Sequence, residues 1–121
     1  MGAMSTADTR ALIETAVHRL AEEVPALRQL KLVVRLDLPA RGDPPTWRVE
    51  LPGPRITKDP AADSRVDVSV PRPQFNELAK DGGVRQWADA YERGHVKVSG
   101  EPAVVKLVGS VIARHLARAR A

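Results

Sequence analysis

Cysteine is absent from this 121-residue chain, which excludes disulfides, thiol catalysis and thiolate metal sites and fits a reducing compartment. Aromatic residues make up only 3% of the sequence, few for the stacking surfaces that bind single-stranded nucleic acid. No apolar run approaches the length of a membrane span, and Ser5 to Glu23 mixes charged with apolar residues, unlike a secretory signal. The expected location is the cytoplasm. Basic runs longer than two residues are also missing, although 19 Lys+Arg against 15 Asp+Glu give a net charge of +4 and a pI near 10. The cations are dispersed and densest at Arg114, Arg118 and Arg120, so a solvated basic surface is expected and a nucleic-acid partner is not.

What is present fits one domain. Met1 to Ala3 read as a vector scar ahead of Met4, leaving residues 4–121 to build a single core. From Ser5 onward, Ile13, Ala16, Val17, Leu20, Val24 and Leu27 recur at helical spacing, with Ser5, Thr6 or Asp8 as caps and Pro25 ending or kinking the helix near Glu23. Then the period changes to two. Leu30, Leu32, Val34, Leu36 and Leu38 alternate with more polar residues, and after a turn-rich stretch Trp47, Val49 and Leu51 do the same, which predicts an antiparallel hairpin. A short edge strand near Ile56 has its pairing blunted by prolines, and Val66, Val68 and Val70 mark a further strand.

Two short helices follow, one holding Phe75, Leu78 and Ala79 and the other Val84, Trp87 and Tyr91, separated by Asp81–Gly83. His95 to Ser99, between Gly94 and Gly100, alternates as a strand. With helices on both sides it must return to the earlier sheet. The last helix begins at Pro102 and carries Val104, Val105, Leu107, Val108, Val111, Ile112 and Leu116, an arc wider than one stripe, so it is covered on two sides or lines something.

No reaction centre emerges. His18, His95 and His115 lie on separate elements without ligand spacing, and Glu14 with His18 reads as a surface pair. Ser69, Ser99 and Ser110 have no neighbouring histidine by local spacing, and no glycine-rich phosphate loop is present. Arg41–Asp43 spells RGD, read here as a turn. Asp37, Glu50 and Asp67 fall on polar strand faces, where Arg35, Arg48 and Arg65 offer ion pairs in place of catalytic work. No metal site and no cofactor is nominated.

The stretches DVSVPRPQFNEL and YERGHVKVSGEPAVVKLV resemble the sterol carrier protein 2 (SCP2) domain, through Val66, Val68, Val70, Phe75 and Leu78, then Gly94, Val96, Val98, Gly100 and Leu107. The stretch WRVEL, Trp47 to Leu51, looks like that family's second strand. The resemblance spans Ser5 to Ala117. It implies an α+β fold of order α-β-β-β-β-α-α-β-α, with a five-stranded, mainly antiparallel sheet covered on one face by helices. It also implies an apolar tunnel for sterol, fatty acid, acyl-CoA or phospholipid, and non-enzymatic transfer of that lipid between membranes.

On that reading the pocket is lined by Leu32, Val34, Val49 and Val68 from the strands, by Phe75, Leu78, Trp87 and Tyr91 from the short helices, and by Val104, Val108, Val111 and Ile112 from the last. Arg114 and Arg118 would meet an anionic head group or membrane surface. The same residues also read as plain core. The family often lines its tunnel with Phe and Met, whereas this chain has one Phe, so its small Val and Ala side chains leave either an enlarged cavity or a collapsed one. The alternative function is a protein-interaction module on the same scaffold, using an exposed apolar sheet face or groove. A lipid-acting enzyme would need an acid-base pair in the cavity, and none can be nominated.

Overall fold

The computed structural model of the protein describes residues 6–39 and 46–120. The expected scar, the Ser5 cap and the RGD turn lie outside the described residues, and so does the side chain of Thr6. Helix α1 covers Thr6–Glu23 and stops where expected, one residue before the stretch Pro25–Gln29, which forms a 3-10 turn. Leu30, which the alternation had placed at the start of the first strand, instead caps that turn, its N–H donating to Leu27 O at 3.2 Å. Strand β1 is therefore Leu32–Asp37, followed by β2 (Thr46–Leu51), β3 (Arg55–Thr57) and β4 (Val66–Ser69). Helices α2 (Arg72–Asp81) and α3 (Val84–Glu92), strand β5 (Lys97–Gly100) and helix α4 (Pro102–Arg120) complete the chain.

The five strands form one sheet in the order β3-β2-β1-β4-β5. The pairs β1–β2, β2–β3 and β4–β5 are antiparallel, whereas β4 joins the free edge of β1 in parallel, so the sheet is mixed. Local alternation cannot reveal that pairing, since a strand's period is the same in both orientations. Main-chain bonds extend the parallel pair at both ends: Arg65 N donates to Val33 O and Val70 N to Asp37 O, each at 3.0 Å. The edge strand β3 does form. Its prolines, Pro52 and Pro54, sit in the turn, where no ladder N–H is lost. Pairing of β5 begins only at Lys97, because the N–H groups of His95 and Val96 close the end of α3 on Ala90 O.

The register separates the sheet into two chemistries. On one face, Ile56, Val49, Val34 and Val66 form a row across four strands, and Trp47, Leu36, Val68 and Val98 form the next. The helices cover this face, with Trp47, Phe75, Ile13, Leu38, Val70 and Val84 fully enclosed. On the other face, Arg48 bonds Glu50 at 2.9 Å and Asp63 through two nitrogens, Arg65 makes a two-pronged contact with Glu101, and Asp37 accepts from Thr46 at 2.7 Å. Arg48 and Arg35 are cross-strand partners, a like-charge juxtaposition that Glu50, Asp63 and Asp37 offset. The acidic residues of this face are thus each engaged by a donor, Asp67 by Ser64, and do not form a carboxylate pair.

Hydrogen bonds from Arg48 hold Asp63 below the usual carboxylate range, and those from Arg65 do the same for Glu101. A depressed folded-state value means that the stabilising contribution is complete above the ordinary carboxylate range and is lost as pH falls through the folded values. A urea series from pH 7 downward should show the midpoint falling in acid, and the combined Asp63→Asn and Glu101→Gln variant should flatten that fall. Both pairs are exposed, so the effect at pH 7 is small.

Among the described residues, two glycines carry left-handed backbone, Gly94 at φ 83° and Gly100 at φ 128°. A Cβ on Gly100 would lie 2.5 Å from Arg65 O and 2.9 Å from the Cα of Val66, whereas one on Gly94 meets nothing within 4 Å. Gly94→Ala should therefore cost about 1 kcal/mol from backbone conformation alone. Gly100→Ala should cost more, roughly 2–4 kcal/mol, because it also forces β4 and β5 apart. Equilibrium urea unfolding of the two variants gives the comparison.

Candidate functional site

Between α1 and the covered face of the sheet lies a cavity of about 170 Å³. Helix α1 supplies Ile13, Ala16, Val17, Leu20 and Ala21; the sheet supplies Val34 and Leu36 from β1, Val49 and Leu51 from β2, and Val68 from β4. Phe75 and Trp87 close one side, packed edge to face with ring centroids 6.2 Å apart. Leu27, Arg28 and Pro52 complete the wall. The hollow arises from side-chain length: Val34 and Val49 are cross-strand partners, Val68 is as short and Ala16 shorter still, and the space between them stays unfilled. Its surface is almost wholly apolar, and among the described residues Arg28 is the single charged side chain in its wall.

Size limits what fits unaided. An apolar cavity of about 150 Å³ holds a benzene-sized guest, while sites for larger ligands run to about 300–1,000 Å³. The cavity as it stands takes a short length of hydrocarbon, so a whole lipid requires part of the wall to move. The 3-10 turn is a weakly anchored part of this wall, since none of its residues is buried. On its other flank a second hollow of about 380 Å³ is lined by Val24, Pro25 and Ala26 and, from α4, Val111, Arg114, His115 and Arg118. Glu23 fixes the neighbouring helix ends: its Oε1 accepts from Val84 N at 2.9 Å, and its Oε2 stands 3.9 Å from Nε2 of the half-buried His115. A carboxylate at the start of α3 satisfies an otherwise open N–H and faces the positive end of the helix dipole.

Five of the residues nominated from sequence meet in the apolar cavity: Val34, Val49, Val68, Phe75 and Trp87. Others do not reach it. Leu32 is half-buried at the start of β1, Leu78 packs against the core, and Tyr91 is 55% exposed. Val104, Val108 and Ile112 are half-buried on α4, which packs against β5, α3 and the 3-10 turn, and none of them lines the cavity. Val111, Arg114 and Arg118 border the second hollow. The α1 wall was legible as an apolar stripe, Ile13, Ala16, Val17 and Leu20, although that stripe looks the same whether it fills a core or bounds a space. Arg28 carried no signal, since its placement depends on the 3-10 turn. Among the described residues, no group of three His, Asp or Glu could hold a metal ion.

Neither a protein-family model nor a curated protein sequence matches the chain. Solved structures do. A palmitated SCP2-like 2 protein from Aedes aegypti, seen by solution NMR, superposes with a TM-score of 0.58 at 21% identity, covering 83% of this chain and 93% of that one. This chain has an SCP2-like fold. The crystal structure of the Aedes aegypti SCP2-like 2 protein gives a TM-score of 0.52 at 20% identity over 91% of this chain and 97% of that one. A ubiquinone synthesis protein, UbiJ-SCP2, gives 0.52 at 18% identity over 88% and 94%. The SCP2-like α+β arrangement expected from the sequence is therefore present, with its one parallel strand pair.

A hollow should respond to filling differently from packed core. Val34→Leu and Val68→Leu should each stabilise the protein by about 0.5–1 kcal/mol, at about 24 cal/mol per Å³ of void removed. Val70→Leu, at a position with 0% exposure away from the cavity wall, should destabilise by about 1–3 kcal/mol through overpacking. Urea midpoints of the three variants provide the test.

Proposed function

We propose that the protein binds a lipid non-catalytically, with an apolar chain between α1 and the sheet, and transfers it between membranes. The observation that carries this reading is the apolar hollow itself, bounded on opposite sides by Ala16 and Val17 of α1 and Val34 and Val49 of the sheet. A core under no demand but stability closes such space, because unfilled volume forfeits dispersion contacts. The palmitated Aedes protein supports the reading by showing an SCP2-like fold associated with a fatty acyl group. Burial drives binding at about 25 cal/mol per Å² of apolar surface removed from water, less the cost of association. Arg28, the one cation among the described residues of the wall, would meet a polar or anionic end of the cargo, and the 3-10 turn moves aside for a chain longer than the resting cavity holds.

Native mass spectrometry of the freshly purified protein, followed by organic extraction, tests the proposal together with titration of a fluorescent fatty acid. The expected result is a stoichiometric adduct or saturable uptake, weakened at least about tenfold in Val17→Trp, whose indole would occupy the hollow. Val108→Trp, on α4 away from the wall, should bind as the unaltered protein does. A clean mass with no saturable uptake of fatty acid, sterol or phospholipid probes contradicts the proposal. It would favour a protein-interaction module, with the exposed Leu107 and Tyr91 as its contact surface.

A further inference from the structure

The charge of this protein is unevenly distributed in a way that its composition conceals. Helix α4 contains Lys106, Arg114, Arg118 and Arg120 and no carboxylate, so its four cations equal the whole net charge of +4 and the remainder of the chain is balanced. Helix α1, of similar length, has Asp8, Glu14, Glu22 and Glu23 against Arg10 and Arg19. The two long helices thus differ in sign, and the molecule is polarised toward α4.

Helix α4 is also the long helix with the least buried surface. None of its described side chains is buried, whereas α1 encloses Thr9, Ile13 and Ala16. Leu107 is 49% exposed, and positions 107, 114 and 118 fall on one stripe of the helix, seven and eleven residues apart. A large apolar side chain therefore shares an exposed stripe with Arg114 and Arg118, beside Lys106. Tyr91, the other large exposed apolar residue among those described, ends α3, which packs on α4.

We infer that α4 is the docking element of the protein and that its partner is an anionic lipid bilayer. A helix lying in the membrane interface needs a cationic polar face, apolar side chains free to enter the headgroup region, and no carboxylates to repel the surface. Helix α4 meets all three conditions. A nucleic acid would satisfy the cations but not Leu107, and the same stripe adds Ala103 and Ser110 and no aromatic ring for stacking. Docking here places the 3-10 turn, which packs on α4 and walls the cavity, close to the bilayer. The inference deepens the transfer reading by naming the surface that meets the membrane, and because vesicle binding is measured without cargo, the two fail separately.

Flotation with phosphatidylcholine vesicles, and with vesicles containing phosphatidylglycerol as well, provides the test. Binding is expected only to the anionic vesicles and should fall with added salt. Arg114→Gln with Arg118→Gln should weaken it about twenty-five-fold, fivefold per cation. Leu107→Ser should weaken it while leaving the salt dependence unchanged, and Arg10→Gln with Arg85→Gln, on α1 and α3, should bind as the unaltered protein does. Binding unaffected by the α4 variants, equal binding to both vesicle types, or binding to a DNA oligonucleotide with none to vesicles would overturn the inference. If vesicle binding fails while fatty-acid uptake persists, docking by α4 is wrong and carriage stands; if uptake fails while vesicle binding persists, the reverse holds.

Discussion

Val34, Val49 and Val68 face α1, while Arg35, Arg48 and Asp67, one step along the same strands, face away from the helices. This one-sidedness of the sheet is the constraint on which the other features depend. Because side chains alternate with period two, a slip of one residue would exchange the two sets and place arginines against α1. The register is consequently well determined, and the helices all have the same face to cover. The ion pairs of Arg48 and Arg65 satisfy the other face and contribute modestly to stability, being exposed.

Short side chains on that covered face create the hollow, and large ones at its margin keep the surrounding core packed. Trp47 and Phe75 are almost completely enclosed, as are Leu38 and Val70. Between them, α1 presents Ala16 and Val17 toward Val34, Val49 and Val68, and these short side chains leave the space unfilled. The connections around this space are unequal. Glu23 ties the end of α1 to the start of α3, and Arg19 reaches from α1 to Lys80 O at the end of α2, whereas the next five-residue segment is a 3-10 turn with no buried side chain. The cavity is thus tied by side chains along α1 and bounded on the flank beside the cationic helix α4 by a turn without buried side chains.

Most of the fold was legible in the sequence because its strands are amphipathic in the simplest way. Leu32 to Leu38 and Trp47 to Leu51 declare their faces residue by residue, and Pro73, Pro102, Gly94 and Gly100 mark helix starts and turns. The parallel pairing of β1 with β4 was not legible, since it is settled by where a chain that has already made β2 and β3 can return. The site was legible in part for a related reason. Periodicity gives the direction of a side chain and not what it meets, so Val34 and Val104 look alike in sequence. One lies over the centre of the sheet beneath α1, and the other on a helix that packs against the edge strand β5. Arg28 needed the three-dimensional path of the 3-10 turn before it could be associated with a cavity lined by residues of α1 and β2.

The central claim is that the space between α1 and the sheet receives an apolar chain. A crystal structure of the protein equilibrated with a fatty acid brominated near its methyl end tests it most directly, because anomalous scattering locates the bromine without reference to the rest of the chain. The account predicts bromine among Val34, Val49, Val68 and Trp87, with the 3-10 turn displaced outward. Bromine found only against α4 or on the charged face of the sheet, with the hollow empty, would contradict it.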